Sequence, residues 1–207
     1  LAPVGCGVQA LTPPAIADPT PLSKCQVAKS VESPLVTEWP AGVTSLLARQ
    51  ILAFKDHWHL YAVSENGSFL PTRVRWGDTA KLGDFLNGNA SYQDLSGADW
   101  IKRAVLMSAD YVAVLKAQSI WIGYATGGTD VFKYERQVPG LGAMAGRTAV
   151  CINGQVYFLG WDDVYRFDGP GFEKIGRDIR RELFRGLNMD EIDRAFGVVH
   201  GAENEYW

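Results

Sequence analysis

The sequence has few cysteines, no excess of positive charge and no long apolar run. Its 207 residues include 3 cysteines, and 20 Lys and Arg residues stand against 23 Asp and Glu residues. Three irregularly spaced cysteines are too few for a disulfide scaffold or a zinc site. A net charge of −3 argues against a broadly basic nucleic-acid-binding surface. No run of about 18 apolar residues is present, so no segment is predicted to span a membrane.

Proline is scarce after residue 50, because seven of the 10 prolines lie in residues 1–50. Proline at this density disfavours helices and central strands. Residues 1–50 are therefore predicted to be a Pro-rich extended arm or linker, with a short strand near residues 33–38. The chain starts at Leu1 and stops at the aromatic pair Tyr206-Trp207, so we expect a piece of a longer polypeptide.

Residues 51–207 show a pattern of strand, turn and strand. The clearest hairpin surrounds Asn153-Gly154, since a type I′ turn needs positive φ at both central residues. Trp161-Asp162-Asp163 is a second predicted turn. Strands are predicted at residues 111–115, 119–124, 131–138, 147–152, 155–159 and 164–167.

The predicted strands repeat along the chain. Residues 112–124 align without gaps on residues 156–168, at an offset of 44 positions. A weaker copy covers residues 51–61, and a truncated copy opens at Phe196. Such repeats are typical of propeller blades, and a β-sandwich meander is the alternative.

Two helical pieces interrupt the strands and form a predicted insertion at about residues 176–194. Ile175, Ile179, Leu183 and Leu187 share one helix face. Asn188 followed by Glu191 predicts a capping box for a short second helix at residues 189–194. The predicted fold is mainly β: β-propeller-like antiparallel hairpins with this helical insertion and the Pro-rich arm.

No candidate active site emerges from the motifs. His57 and His59 have a spacing that can chelate a metal, but structural or solvated histidines are favoured because no further ligand pattern supports the pair. Asp162-Asp163 resembles a carboxylate pair, but a turn role is favoured. We therefore expect that the protein is not an enzyme and that it binds no cofactor and no metal.

Residues 177–185 of the helical insertion are predicted to hold the only basic cluster of the chain. The default interpretation is a solvated helix face. The more specific alternative is contact with an acidic neighbouring subunit or with DNA backbone. The arginines concerned are Arg177, Arg180, Arg181 and Arg185.

Several phrases of strand and turn residues resemble tail proteins of bacteriophages. They are Thr72-Arg-Val-Arg-Trp-Gly-Asp78, Gly83-Asp84-Phe85, Asp99-Trp-Ile101, the hairpin through Ser119-Ile120, Gly160-Trp-Asp-Asp-Val-Tyr-Arg-Phe-Asp-Gly169, Ile175-Gly-Arg-Asp-Ile-Arg180 and Asn204-Glu-Tyr-Trp207. The resemblance covers about residues 50–207 and contains no catalytic fingerprint. The tail nozzle and tail hub components of short-tailed phages are similar in kind.

The resemblance implies a structural virion protein, made in the host cytoplasm and assembled as a ring of identical copies around the DNA-ejection channel. Its implied partners are an adaptor or tube above, fibres or a needle below, viral DNA in transit and the host surface. A mildly acidic wall fits a conduit that lets DNA slide.

Two other functions are compatible with the same sequence. A receptor- or glycan-binding tail adhesin would expose tryptophans on one loop face, drawn from Trp58, Trp76, Trp100, Trp121 and Trp161. A cell-wall-degrading enzyme would need two carboxylates that converge in a pocket.

Overall fold

The chain is mainly β. The computed structural model describes residues 25–27, 38–79, 83–128, 131–200, 203 and 205–207, with the backbone alone for residues 25–27. Most of the predicted arm, including all but the last residue of the strand expected near residues 33–38, lies outside these residues. No helix in the described ranges is long and apolar enough to cross a membrane.

The first sheet is antiparallel, and its five strands follow one another in chain order. They are β1 (Cys25–Val27), β2 (Leu46–Phe54), β3 (His57–Glu65), β4 (Ser68–Trp76) and β5 (Ser91–Asp94). Strand β2 begins inside the predicted arm, and Trp39 and Val43 pack on the outer face of this sheet. The sheet therefore includes residues that the sequence pattern assigned to a linker.

Two four-stranded antiparallel sheets and a short ribbon follow, again with the strands in chain order. The second sheet contains β6 (Ile101–Leu106), β7 (Tyr111–Lys116), β8 (Ser119–Ala125) and β9 (Phe132–Pro139). The third sheet contains β10 (Val150–Ile152), β11 (Gln155–Leu159), β12 (Val164–Phe167) and β13 (Phe172–Lys174). The ribbon pairs β14 (Val199–His200) with β15 (Glu205–Tyr206).

The predicted hairpin at Asn153-Gly154 is confirmed. Asn153 has φ of 51° and Gly154 has φ of 80°, and β10 pairs with β11 across this turn. Both values are positive, as a type I′ turn requires. Asn66 and Gly67 join β3 to β4 with the same signs of φ.

The sheets stack face to face, and this stacking explains the unbroken apolar run in β7. Val112 and Val114 point into the first core, which the first and second sheets share. Ala113 and Leu115 point into the second core, shared by the second and third sheets. Side chains along a strand point alternately to the two faces of the sheet. A strand that is buried on both faces therefore carries apolar residues at consecutive positions.

One strand of each sheet lies beside its counterpart in the next, since β2 contacts β6, β6 contacts β10 and β10 contacts β14. We call these four the first strands of their sheets, and β1 is an additional edge strand that pairs with β2. The described sheets form an open row and no closed barrel or ring. The prediction of a mainly β chain built from repeated antiparallel hairpins is confirmed at that level. Strands β7–β8 and β11–β12, which the 44-position offset aligns, hold the same places in their sheets.

Two predicted strand features need correction. The weaker copy at residues 51–61 covers parts of β2 and β3, whereas β3–β4 is the counterpart of β7–β8. Residues 146–148 form a 3-10 helix, here the first 3-10 helix, in place of the start of a strand. The Thr148 hydroxyl donates to the Ala145 carbonyl at 2.6 Å and accepts from Leu159 N, and such local bonds compete with the strand ladder.

The helical insertion is shorter than predicted. Helix α1 spans Arg180–Gly186, because Ile175 N still bonds the Val164 carbonyl and Gly176 N bonds Asp163 Oδ1 along the third sheet. Ile175 and Ile179 are exposed. Leu183, Phe184 and Leu187 pack instead on the outer face of the third sheet.

The second 3-10 helix spans Met189–Arg194, where a helix was predicted. The Asn188 side chain caps it by accepting from Asp190 N at 3.2 Å. Glu191 pairs with Arg194 at 2.7 Å. The reciprocal half of the predicted capping box is therefore not formed.

Candidate site: a basic cluster beside the first strands

The four arginines predicted for subunit or DNA contact lie on α1 and in the turn before it. Arg177, Arg180, Arg181 and Arg185 are all exposed. Within the described part of the chain, no carboxylate forms an ion pair with any of them. They are available to a partner, and the contact itself stays a prediction.

His57 and His59 are buried in an aromatic environment. His57 Nδ1 donates to the Gly77 carbonyl at 2.5 Å, and His59 Nδ1 bonds the Tyr134 hydroxyl at 2.7 Å. Burial, and then the neighbouring His57, lowers the pKa of His59 to about 3. The pair is thus used for internal hydrogen bonding, as the structural interpretation expected.

Asp162 and Asp163 stabilise the turn that precedes β12. Asp163 is buried, and its Oδ1 accepts from Val164 N at 2.8 Å and from Gly176 N at 3.0 Å. Asp162 accepts from the Tyr165 hydroxyl and from Lys174 Nζ. The two carboxylates therefore have separate structural partners, and they do not converge on a pocket.

The five tryptophans considered for glycan stacking do not gather on one loop face. Trp76 and Trp121 are buried in the first core. Trp58 packs against the cluster on the outer face of the first sheet. Trp100 and Trp161 are exposed, but the Trp161 indole N–H already donates to the Ala117 carbonyl at 2.7 Å.

His200, Glu203 and Glu205 form a small exposed group that the sequence pattern did not single out. Their ligand atoms lie within 4.8 Å of one another. Glu205 also accepts from the Trp207 indole at 2.9 Å. Exposed acidic groups of this kind are common without a metal, and among the described residues no buried donor joins them.

A second basic cluster lies where the first strands of successive sheets meet. Arg49 on β2, Lys102 and Arg103 on β6, and Arg147 on the first 3-10 helix line one cavity of about 70 Å³. We call these four residues the first-strand cluster. The prediction that residues 177–185 hold the only basic cluster is wrong, because β-sheet packing brings these distant residues together.

A glutamine side chain fixes the two sheets at this cavity. Gln50 Nε2 donates to the Ala104 carbonyl at 2.7 Å, and Gln50 Oε1 accepts from Ala104 N at 2.7 Å. A side-chain amide thereby joins β2 to β6 as a strand would. This pair of bonds holds Arg49 near Arg103.

Gly146 brings the third sheet close to the second. A Cβ atom at this position would lie 2.4 Å from the Lys102 carbonyl oxygen. Any larger residue would push the first 3-10 helix away from β6. Glycine therefore allows Arg147 to sit beside Arg103.

The positive charge of the first-strand cluster is only partly compensated. Asp193 also lines the cavity and lies 3.7 Å from Lys102 Nζ. In the described ranges, no carboxylate pairs with Arg49, Arg103 or Arg147. Partial burial, and then the charge of Arg147, lowers the pKa of Arg103.

Aromatic rings position two of the cations. The Arg49 guanidinium carbon lies 4.7 Å from the Phe69 ring centroid, and Lys102 Nζ lies 5.6 Å from that of Trp100. Such contacts orient a cation without neutralising it. Arg49 is thereby held in place, whereas Arg103 and Arg147 are exposed at the mouth of the cavity.

One signal in the sequence could have indicated part of this cluster. Arg103 and Arg147 are 44 positions apart, which is the offset that aligns the hairpins. Extending the alignment upstream would have paired them.

Comparison of the sequence with models of known families and with curated proteins found no match.

Proposed function

We propose that the protein is a structural, non-enzymatic component of a bacteriophage tail, a nozzle or hub. In this proposal its sheets are blades of a β-propeller, and copies of the chain form a ring around the DNA-ejection channel. The ring would connect an adaptor or tube to fibres or a needle. The observation that carries the proposal is the row of up-and-down sheets with adjacent first strands.

The stacking of the sheets supports the blade interpretation. Propeller blades are four-stranded antiparallel sheets arranged radially, so each blade buries both of its faces. The second sheet does so here, with the first core on one face and the second core on the other. Adjacent first strands are what a common central axis requires.

The phrase Thr72-Arg-Val-Arg-Trp-Gly-Asp78, which carries part of the resemblance, serves the scaffold. Arg73 pairs with Asp94 at 2.8 Å, and Arg75 pairs with Glu65 at 2.6 Å. Both guanidinium groups also lie over the Tyr92 ring. These residues join β3, β4 and β5, which favours a structural role over catalysis.

An exposed apolar edge next to the arginines of α1 supports contacts between copies. Phe172 on β13 is 52% exposed and Ile179 is 59% exposed. Strand β13 is the edge strand of its sheet, and unpaired edges are sites of association. Arg177 and Arg180 flank Ile179 and would add charge-assisted contacts with an acidic neighbour.

The test is native mass spectrometry of the purified chain, with electron microscopy of the particles. We expect a single oligomer whose mass is a whole-number multiple of 22.7 kDa. The particles should be ring-shaped with an open channel. Ile179→Asp should dissociate the ring, because it places a charge in the apolar contact. Leu86→Asp is the matched control, since Leu86 is 44% exposed in the loop between β4 and β5.

Three results would contradict the proposal. The first is a chain that stays monomeric at every concentration tested. The second is an elongated trimer that binds a saccharide, which is the behaviour of an adhesin. The third is hydrolysis of cell-wall glycan that is lost when Asp162 and Asp163 are changed to Asn.

A further inference from the structure

The first-strand cluster has the features of an anion site. Four cations and one carboxylate line the same small cavity, and the carboxylate is nearest to Lys102. Arg49, Arg103 and Arg147 therefore share a space without a protein counter-charge in the described ranges. Like charges held together in this way favour an anion that bridges them.

The cavity has room for a small anionic group. Its volume is about 70 Å³, well above the ~10–15 Å³ that a single water needs. Backbone groups of Gly146 and the side chains of Gln50 and Tyr61 complete the lining. The Gln50 amide is occupied by Ala104, and Lys102 lies beside Asp193. The three guanidinium groups are therefore the charged donors that remain.

We propose that the first-strand cluster binds a phosphate group, with Arg103 and Arg147 as the principal donors and Arg49 as the third. A guanidinium group offers two parallel N–H donors that match two oxygens of a phosphate. Three such groups suit a tetrahedral dianion better than a planar carboxylate, which offers two oxygens. Free phosphate and a nucleic-acid backbone are two sources of this one chemistry.

This inference goes beyond the proposed tail function and does not depend on it. The cluster is a property of Arg49, Arg103 and Arg147 in the folded chain, whatever the chain assembles with. If the ring assembly is not found, the site still makes its own prediction. If the site is not found, the ring proposal keeps its own test.

The first probe is inorganic phosphate, with chloride at matched ionic strength as reference. We expect phosphate in the millimolar range to raise the Tm of the wild-type chain, because a ligand that binds the folded state stabilises it. In Arg103→Ala/Arg147→Ala this shift should be lost, with affinity at least about tenfold weaker. Arg136→Ala/Arg166→Ala removes the same charge from β9 and β12, away from the cavity, and should respond like the wild type.

A second probe distinguishes the source of the phosphate. It is a ten-nucleotide oligothymidylate, whose binding is followed by fluorescence anisotropy at low salt. Binding that disappears in Arg103→Ala/Arg147→Ala indicates that the cavity takes a backbone phosphate. Phosphate binding without oligonucleotide binding indicates a free anion, and both results support the site.

A third variant covers the case in which the alanine pair does not fold. Arg103→Lys/Arg147→Lys keeps both charges and removes the guanidinium fork, so phosphate affinity should fall about tenfold. The proposal is overturned if phosphate does not shift the wild-type Tm or if the lysine pair binds as tightly as the wild type. It is equally overturned if Arg136→Ala/Arg166→Ala loses binding as fully as the cluster variants.

Discussion

At the residue scale, His59 shows how burial changes the acid–base chemistry of one side chain. Its ring packs edge-on against Phe132, with centroids 4.5 Å apart, and one nitrogen bonds the Tyr134 hydroxyl. Within the described part of the chain, its Nε2 is buried without a hydrogen-bond partner. A proton there would be poorly solvated, so the neutral form is favoured in the folded chain.

The pKa of His59 predicts a loss of stability in mild acid. It is about 3 in the folded chain against an ordinary value of 6.5. Below pH 6.5 the unfolded chain therefore binds a proton that the folded chain does not, until the pH reaches about 3. Between pH 7 and pH 5 this group should lower the free energy of unfolding by about 2 kcal/mol.

Urea unfolding of the wild type and of His59→Leu at both pH values measures this contribution. The variant should lose about 2 kcal/mol less than the wild type between pH 7 and pH 5. His200→Leu is the control, because it removes an imidazole from an exposed position. Equal pH dependence in the wild type and His59→Leu would contradict the argument.

At the element scale, the turn between β10 and β11 depends on Gly154. Its φ is +80°, and the nearest atom to an added Cβ would be the Met107 carbonyl oxygen at 3.6 Å. Space is thus available, and the cost of Gly154→Ala comes from the left-handed backbone alone. We expect a loss of about 1 kcal/mol in the free energy of unfolding.

Gly186→Ala at the end of α1 is the matched change. Its φ lies outside the left-handed region, and nothing would lie within 4 Å of the new Cβ. Alanine is the better helix former by up to about 1 kcal/mol, so this variant should be neutral or more stable. Thermal unfolding of both variants checks the pair, and a Gly154→Ala protein as stable as the wild type would refute the turn argument.

The hairpins were the predictable elements because their signals are local. Asn-Gly and alternating apolar residues lie within a few positions of one another in β10 and β11. Strand β4 gives no such signal, since Arg73 and Arg75 fill its outward positions. Their partners, Glu65 and Asp94, lie on other strands, so these positions look solvated until the sheet is known.

The first-strand cluster could not be predicted for the same reason. Arg49, Arg103 and Arg147 come from three elements that meet only when the sheets stack. The repeat offset could have paired Arg103 with Arg147, but Arg49 lies 54 positions before Arg103. The net charge of −3 is an average over the chain, and it conceals a local excess of cations.

At the scale of the whole molecule, shared cores link the sheets into one unit. The second sheet contributes to the first core through Val114 and to the second core through Leu115. A substitution that destabilises the second core should therefore also destabilise the first sheet, although the first sheet contributes no residue to the second core. A row of independent sheets would not behave in this way.

Phe158→Ala tests this coupling. Phe158 is fully buried in the second core, so its truncation should cost about 3–5 kcal/mol. Hydrogen exchange of the slowest amides in β3 and in β11 should then accelerate together, by about 100-fold or more, because both open through the same global unfolding. Phe196→Ala makes the same chemical change at a position that is 64% exposed and should alter exchange little.

The comparison between the two strands decides the outcome. If exchange accelerates in β11 and stays at the wild-type rate in β3, the third sheet opens by itself and the stack is not cooperative. Such independence would also weaken the blade proposal, since a propeller gains its rigidity from faces buried between neighbours. Equal acceleration would show that β7 and β8, buried on both sides, transmit the loss from one core to the next.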